Sequence, residues 1–534
     1  MQSSHALAVD ATVSSPGNDS SVDISVESIE EPPQPRDLIG EVTEWVTNMQ
    51  VVRPELVRAI SCHVALRQFG YAFRKKTAAD KARFFAQSRA AEHLDEFWSH
   101  SWQLSAWRKI LSLMFLKNGL AAATIGSLFS LLGFTLSMLQ ILPSTFGFGG
   151  KVSFWSTLFG LLAFFGSLFF WRKPFKPERV FLDVCCINQL DNREKSEGIL
   201  SLGGILRNSR RMLVLWDATY IERLWCVFEL AAFIRSRPPE EAPEVQIRPT
   251  LLGTCALAVI FGVTSIVVCL ATLISHQQQA LSYLIVISVL LLLILYPAAA
   301  TFRGYFHSVD TLCDQMSKFH LQETKCACCV QGHDESTPVC DRDIVTRCIR
   351  AWFGDEASFE KQMQVTVSAS VAEHLGEHLF PYWLLLVASV PFMWVMLDIA
   401  VENLLFMKLG QFWLFWLITG FGWWIAAFPC CFCVFLFVAK VLRKPRRYLC
   451  CDLLTNFLVI LGLLPAFVLI FGFEVLIFLF FPFEAQEWVL AAVSSCFHGL
   501  LAALVWNAPR ICRRKAEEPT VDAAHSFPQQ LDLQ

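Results

Sequence analysis

Cys326, Cys328, Cys329, His333 and Cys340 fall between Lys325 and Asp341, and all five are ligand types for a soft cation. Thiolates and an imidazole so placed can wrap a tetrahedral Zn²⁺. The pattern C-x-C-C-x3-H-x6-C is none of the recurrent zinc spacings, so ordinary reduced thiols are the alternative. A second pair, Cys450 and Cys451, follows the basic run Arg443–Arg447 and has the setting of a palmitoylation site. The run itself marks topology, with contact to anionic lipid heads as the added reading. Cys430, Cys431 and Cys433 stand in an apolar stretch and read as small hydrophobes. Asp398 and Glu474 are carboxylates of apolar segments, expected toward segment ends where a charge reaches water at low cost. The chain carries no Walker loop, kinase signature, H-E-x-x-H or nucleophile elbow, which leaves the common ATPase and hydrolase chemistries without support.

These residues must be positioned by an unusually apolar chain. Of its 534 residues 54% are hydrophobic and 17% charged, against ~45–50% and about 25% in soluble domains. Forty-six Phe and 17 Trp against 7 Tyr suit lipid-facing helices. A net charge of −3 gives no basic field for nucleic acid. A hydrocarbon core needs about 20 apolar residues as helix, because every backbone N–H must be satisfied internally. Eight segments qualify: 119–142, 152–171, 251–275, 281–301, 379–400, 411–439, 453–481 and 488–508. They pair through the short links Pro143–Lys151, His276–Ala280, Val401–Gly410 and Pro482–Glu487. Of the 44 Lys and Arg these links hold Lys151 and Lys408, and the spans hold none. The positive-inside rule then puts both termini and all long segments in the cytosol, with the bilayer as the first partner. No cleavable signal peptide is expected, and the acidic, Ser- and Pro-containing residues 1–36 read as a disordered tail.

The polar segments carry the remaining organisation. Within 37–118, Val42, Trp45, Val46 and Met49, then Leu56, Ile60 and Val64, have helical spacing, and Glu96–Trp102 reads as a strand. Residues 172–248 read βαβα: a strand Val180–Ile187, a helix Glu194–Asn208, a strand Met212–Trp216 and a helix Trp225–Ile234. Parallel pairing with right-handed crossovers follows, with Glu96–Trp102 as the third strand. Residues 302–378 form a Cys-rich segment in which Asp341–Gly354 reads as a short amphipathic helix. The expected order is tail 1–36, helical segment 37–118, hairpin 119–171, βαβα segment 172–248, hairpin 249–301, Cys-rich 302–378, hairpin 379–439, basic loop 440–452, hairpin 453–508 and cytosolic tail 509–534.

Four motifs carry a resemblance. Phe97-Trp98-Ser99-His100-Ser101-Trp102 resembles the first strand of TIR domains, and Phe181-Leu182-Asp183 their second. Ser209, the strand to Trp216 and Tyr220 are similar to a later strand and its turn, and Trp225-Cys226-Val227-Phe228-Glu229-Leu230 matches W-C-x-x-E-L. Asp183–Gln189 also resembles the D-x-x-C-I-N-Q signature of heterokaryon-incompatibility domains, themselves TIR-like. The resemblance covers about 95–102 and 179–236, with the hairpin 119–171 inserted between the first two strands. Together with the eight spans, the expected fold is a mainly α, multi-pass membrane protein, and the resemblance implies a small cytosolic α/β TIR-like module split by that hairpin.

In TIR enzymes the glutamate of this helix cleaves the nicotinamide–ribose bond of NAD, a role that falls here on Glu229. The resemblance further implies ligand contacts from Trp98, His100, Asp183, Trp216 and Trp225, with the two last as an aromatic wall. The plainer alternative pairs Glu229 with Arg223 or Arg235 and makes Trp225 a core anchor. Signalling or protein interaction, including self-association, is the function implied, with NAD cleavage its sharper form and transport the competing class.

Overall fold

A computed structural model describes residues 38–74, 77–103, 105–143, 145–147, 150–170, 177–238, 243–275, 280–332, 340–371, 381–407, 412–480 and 487–517. The acidic tail 1–36 and His333 lie outside them. The chain divides into two compact units, one of residues 1–116, 169–253 and 308–371, the other of 117–168, 254–307 and 372–534.

The first unit is built on a six-stranded sheet. In chain order the strands are β1 Arg58–Ser61, β2 Arg89–Ala90, β3 Leu94–His100, β4 Arg179–Phe181, β5 Ser209–Trp216 and β6 Val245–Pro249, arranged β2-β1-β4-β3-β5-β6. Strand β3 lies parallel to β4, with Glu96 opposite Val180 and Phe97 opposite Phe181, and parallel to β5 from Leu94–Ser209 to His100–Leu215. The expected juxtaposition of Glu96–Trp102 with Val180 is therefore observed.

Six of the seven β3 residues are buried. That burial fits the centre of a parallel sheet, and it encloses the polar Glu96, Ser99 and His100 along with Phe97 and Trp98. Strand β6 instead alternates, with Val245 and Ile247 inward and Gln246 and Arg248 half-exposed, as the two-residue period of a strand requires.

The sequence reading needs three corrections here. Ile60 belongs to the antiparallel strand β1, opposite Val180, not to a helix through Leu56 and Val64. Strand pairing, a tertiary effect, overrides the local spacing. The strand expected over Val180–Ile187 stops at Phe181, and Asp183–Cys186 makes a helical turn. Three strands were expected from the sequence, and β1, β2 and β6 double that number.

The Leu224–Arg235 helix is buried around most of its circumference, including Leu224, Val227, Phe228, Leu230 and Phe233. Part of its cover comes from the Cys-rich segment, which joins the same compact unit. There the Asp341–Phe353 helix buries Ile344, Val345, Cys348 and Ile349, and Phe228 meets Trp352 at 5.7 Å between rings.

The second unit is helical. Among the described residues six helices are long and apolar enough to cross a membrane: Ala106–Met138, Leu252–Cys269, Tyr382–Leu405, Leu414–Val441, Leu449–Glu474 and Val489–Trp506. Leu128, Leu131, Leu162, Leu293, Leu469 and Leu500 are exposed along its helices, the surface expected against acyl chains rather than water. These features fit an integral membrane protein. Trp155–Phe170 is apolar but has only 16 residues, and Ala280–Ser317 runs on for 38 with Pro297 inside.

The two carboxylates expected near water are instead enclosed. Asp398 accepts from the backbone N–H groups of Ser156 and Thr157, both at 2.9 Å, and so caps the start of the Trp155–Phe170 helix. A carboxylate there satisfies N–H groups that no helical carbonyl can reach. Glu474 accepts from Trp423 Nε1 at 2.7 Å and from Ser494 at 3.1 Å.

Candidate functional site

Strands β3 and β4 end side by side, and the loops beyond them meet the first turns of the Leu224–Arg235 helix. Open parallel sheets bind ligands at such carboxyl ends. The cleft between these elements is lined by His100, Trp102, Asp183, Ile187, Ile199, Leu202, Arg223, Trp225, Cys226 and Glu229.

Glu229 is half-buried and held from the sheet side. The Ser99 hydroxyl donates to its Oε2 at 2.5 Å, and the buried Tyr220 hydroxyl stands 2.6 Å from Ser99. Among the described residues no ion pair joins Glu229 to Arg223 or Arg235, so the surface-pair alternative has no counterpart in the structure. Burial pushes the Glu229 carboxyl up to about 8; Asp183 adds to the shift, while the Ser99 hydrogen bond and Arg223 oppose it. A carboxyl so tuned changes charge near neutrality and loses its proton readily to a cationic ligand.

The neighbours divide by role. Trp102 donates from Nε1 to Asp183 Oδ2 at 2.9 Å, which fixes both across the cleft floor. The His100 ring meets Trp102 edge-on at 4.5 Å and Phe73 at 5.2 Å. Trp225 is half-buried; its Nε1 donates to Asp341 Oδ2 at 3.0 Å, and its ring meets Phe228 at 5.4 Å. The buried Cys226 thiol hydrogen-bonds the His100 carbonyl at 3.7 Å. Burial raises its pKa well above the usual thiol value, so it is no thiolate nucleophile.

Two aromatic residues expected at the ligand lie elsewhere. Trp216 is 1% exposed and packs on Tyr220 at 5.2 Å within the core. Trp98 is 2% exposed and donates to Glu96 Oε2 at 2.5 Å. Depth along the strand explains Trp98: it shares a face with His100, both against Phe73, but stands two residues before the carboxyl end where the cleft opens. Ser99, Trp102 and Arg223 are the site residues that the sequence reading left out. Ser99 and Trp102 were legible, since they bracket His100 in the run that ends β3.

The cleft is small, about 50 Å³.

Away from the cleft, the Sγ atoms of Cys326, Cys328, Cys329 and Cys340 lie within 4.8 Å of one another. Cys326 and Cys328 are buried, Cys340 is half-buried and Cys329 is exposed. Cys450 and Cys451 are exposed in the first turn of the Leu449–Leu461 helix, beside the basic run. No family model, curated protein or solved structure matches the chain.

Proposed function

We propose that the chain is a membrane-tethered signalling protein whose sheet unit is a TIR-like module with NAD glycohydrolase chemistry centred on Glu229. The observation that carries this reading is the Ser99–Glu229 hydrogen bond at the carboxyl end of β3, beside Asp183 and Trp225. In the reaction, water adds to the ribose carbon that holds nicotinamide, and the glycosidic bond breaks. Nicotinamide leaves as a neutral base with the bonding pair, the water gives up a proton, and ADP-ribose remains. Positive charge develops on the ribose as the bond opens, and an anionic Glu229 stabilises it or hydrogen-bonds the ribose hydroxyls. Asp183 and Trp102 hold each other in place at the rim, and Trp225 offers a flat face to a departing ring.

TIR-like modules act through assembly, so the test is nicotinamide release by the detergent-solubilised protein, first dispersed and then clustered on beads. Release that rises on clustering supports the reading. No release in either state removes the catalytic part and leaves an interaction module.

The membrane arrangement belongs to the same proposal: eight spans in four hairpins, with both termini and the sheet unit cytosolic. Its support is the near absence of Lys and Arg from the four links. Accessibility tags at Gly147, Gln278 and Glu484 should report the non-cytosolic face, and tags at Ser20, Glu240, Val330 and His525 the cytosol. One tag on the wrong face would break the pairing.

A second reading, handling of a lipophilic solute, is favoured by a cavity of about 300 Å³ in the helical unit. Its wall is formed mainly by aliphatic and aromatic side chains such as Val263, Phe302, Phe415, Phe432 and Phe467, with Glu474 as its carboxyl. Such a lining suits an apolar molecule far better than a hydrated ion.

A further inference from the structure

The four clustered cysteines are brought together from two separate pieces of chain. Cys326 precedes the short Ala327–Gln331 helix, which carries Cys328 and Cys329, and Cys340 immediately precedes the Asp341–Phe353 helix. The sulfur separations are 2.9 Å for Cys326–Cys328, 3.6 Å for Cys329–Cys340 and 3.9 Å for Cys328–Cys340. None of the four is in a disulfide, which would bring two sulfurs to about 2.05 Å. Four thiolates around one Zn²⁺, each ~2.3 Å from the metal, stand about 3.8 Å apart along the tetrahedron edges. Apolar packing alone gives no reason to gather four thiols; Cys185, Cys226 and Cys255 are each buried outside this cluster.

We infer that Cys326, Cys328, Cys329 and Cys340 form a structural Zn²⁺ site, with four thiolates and no imidazole. Sulfur ligands alone exclude Ca²⁺ and Mg²⁺, which take oxygen. The four thiolates fill a tetrahedron, so His333 is not needed. Binding displaces the thiol protons, and the metal takes their place.

The site clasps the end of the helix that carries Glu229. Leu224 N–H donates to the Lys325 carbonyl at 3.2 Å, and Lys325 N–H donates to the Glu222 carbonyl at 2.5 Å, beside the first three cysteines. On the far side of the set, Asp341 accepts from Trp225 at 3.0 Å, directly after Cys340. Arg342 ties the two pieces together through the carbonyls of Gln322 and Thr324. A metal that joins Cys326–Cys329 to Cys340 therefore locks both pieces against residues Glu222–Trp225. This inference does not rest on the NAD reading; it holds equally for an inactive module.

The test is metal content of the full-length, detergent-solubilised protein after a chelator wash and gel filtration. About one zinc per chain is expected. Cys329→Ser with Cys340→Ser should lower it at least ~10-fold, while Cys313→Ser, outside the set, should leave it unchanged. Wild-type protein reloaded with Co²⁺ should show the intense thiolate-to-cobalt absorption of a tetrahedral sulfur site, a readout that does not depend on any variant folding. Zinc below about a tenth of an equivalent with no cobalt band, iron in place of zinc, or zinc unaffected by the double substitution would each overturn the inference.

Discussion

Glu229 and Glu474 are glutamates withdrawn from bulk water, one in each unit, and their surroundings differ in kind. Glu474 is 6% exposed, and its Oε1 takes two hydrogen bonds, from Trp423 and Ser494, with His498 Nδ1 at 3.9 Å. Its neighbours toward the cavity are hydrocarbon. Glu229 receives one hydrogen bond, from Ser99, and faces a cleft that also holds Asp183, Arg223 and His100. The first carboxyl is an acceptor that satisfies its neighbours. The second is underpaired, beside charges of both signs and partly open to water. A buried polar group fully used by its partners is architecture, whereas one left with spare capacity at a strand end has something to offer a ligand.

The largest test of this contrast concerns the helix that holds Glu229 in place. Trp225→Ala removes a half-buried ring and its hydrogen bond to the Asp341 carboxyl, at a cost of about 3 kcal/mol. Limited proteolysis should then cut within 177–238 while the membrane helices remain protected. An unchanged digestion pattern would mean that the helix is not docked through Trp225.

Glu474→Leu should come next. It leaves Trp423 Nε1 and Ser494 without an acceptor, which costs roughly 2 kcal/mol. Glu229→Leu should cost less, because Ser99 keeps Tyr220 as a partner at 2.6 Å. Thermal scans in detergent that rank the two the other way would dissolve the distinction.

A pH dependence probes the Glu229 carboxyl itself. The folded-state pKa of Glu229, about 8, lies above its ordinary value of 4.5. Between these values the folded chain keeps a proton that the unfolded chain has lost. Stability from this group is complete below pH 4.5, declines as pH rises toward 8 and is gone above it, by at most about 1.4 kcal/mol per pH unit. Relative to wild type, Glu229→Gln should therefore gain stability from pH 5 to 8 and no further beyond. Parallel curves for the two proteins would place the carboxyl in ordinary solvent.

Much of the fold was legible where burial was continuous. Met212–Trp216 and Trp225–Ile234 are largely apolar runs whose type and length leave little choice, and Phe97–Trp102 was found through its motif. The short strands were not: Arg58–Ser61 has four residues and is held by its partners, Arg89–Ala90 on one side and Val180 on the other. Local pattern cannot hold that information, since it resides in the partner strand. Val245–Pro249 does alternate, and a period-two reading would have found it. In the site, residue types pointed to Glu229, Asp183 and Trp225 through their motifs, but depth along β3 decided against Trp98, which lies two residues before His100 on the same face. The cysteine cluster was visible as composition; that its sulfurs converge depends on Cys340 being carried back to Cys329 by the Asp341–Phe353 helix.

The most direct measurement is NAD consumption by the clustered wild-type protein beside Glu229→Gln at pH 7.5. Glutamine keeps the size and the Ser99 contact but cannot become an anion. The account expects nicotinamide release to fall ~10²-fold or more, about 3 kcal/mol in the barrier, with no loss of thermal stability. Equal release from the two proteins would contradict it, because the carboxyl would then have no part in the chemistry.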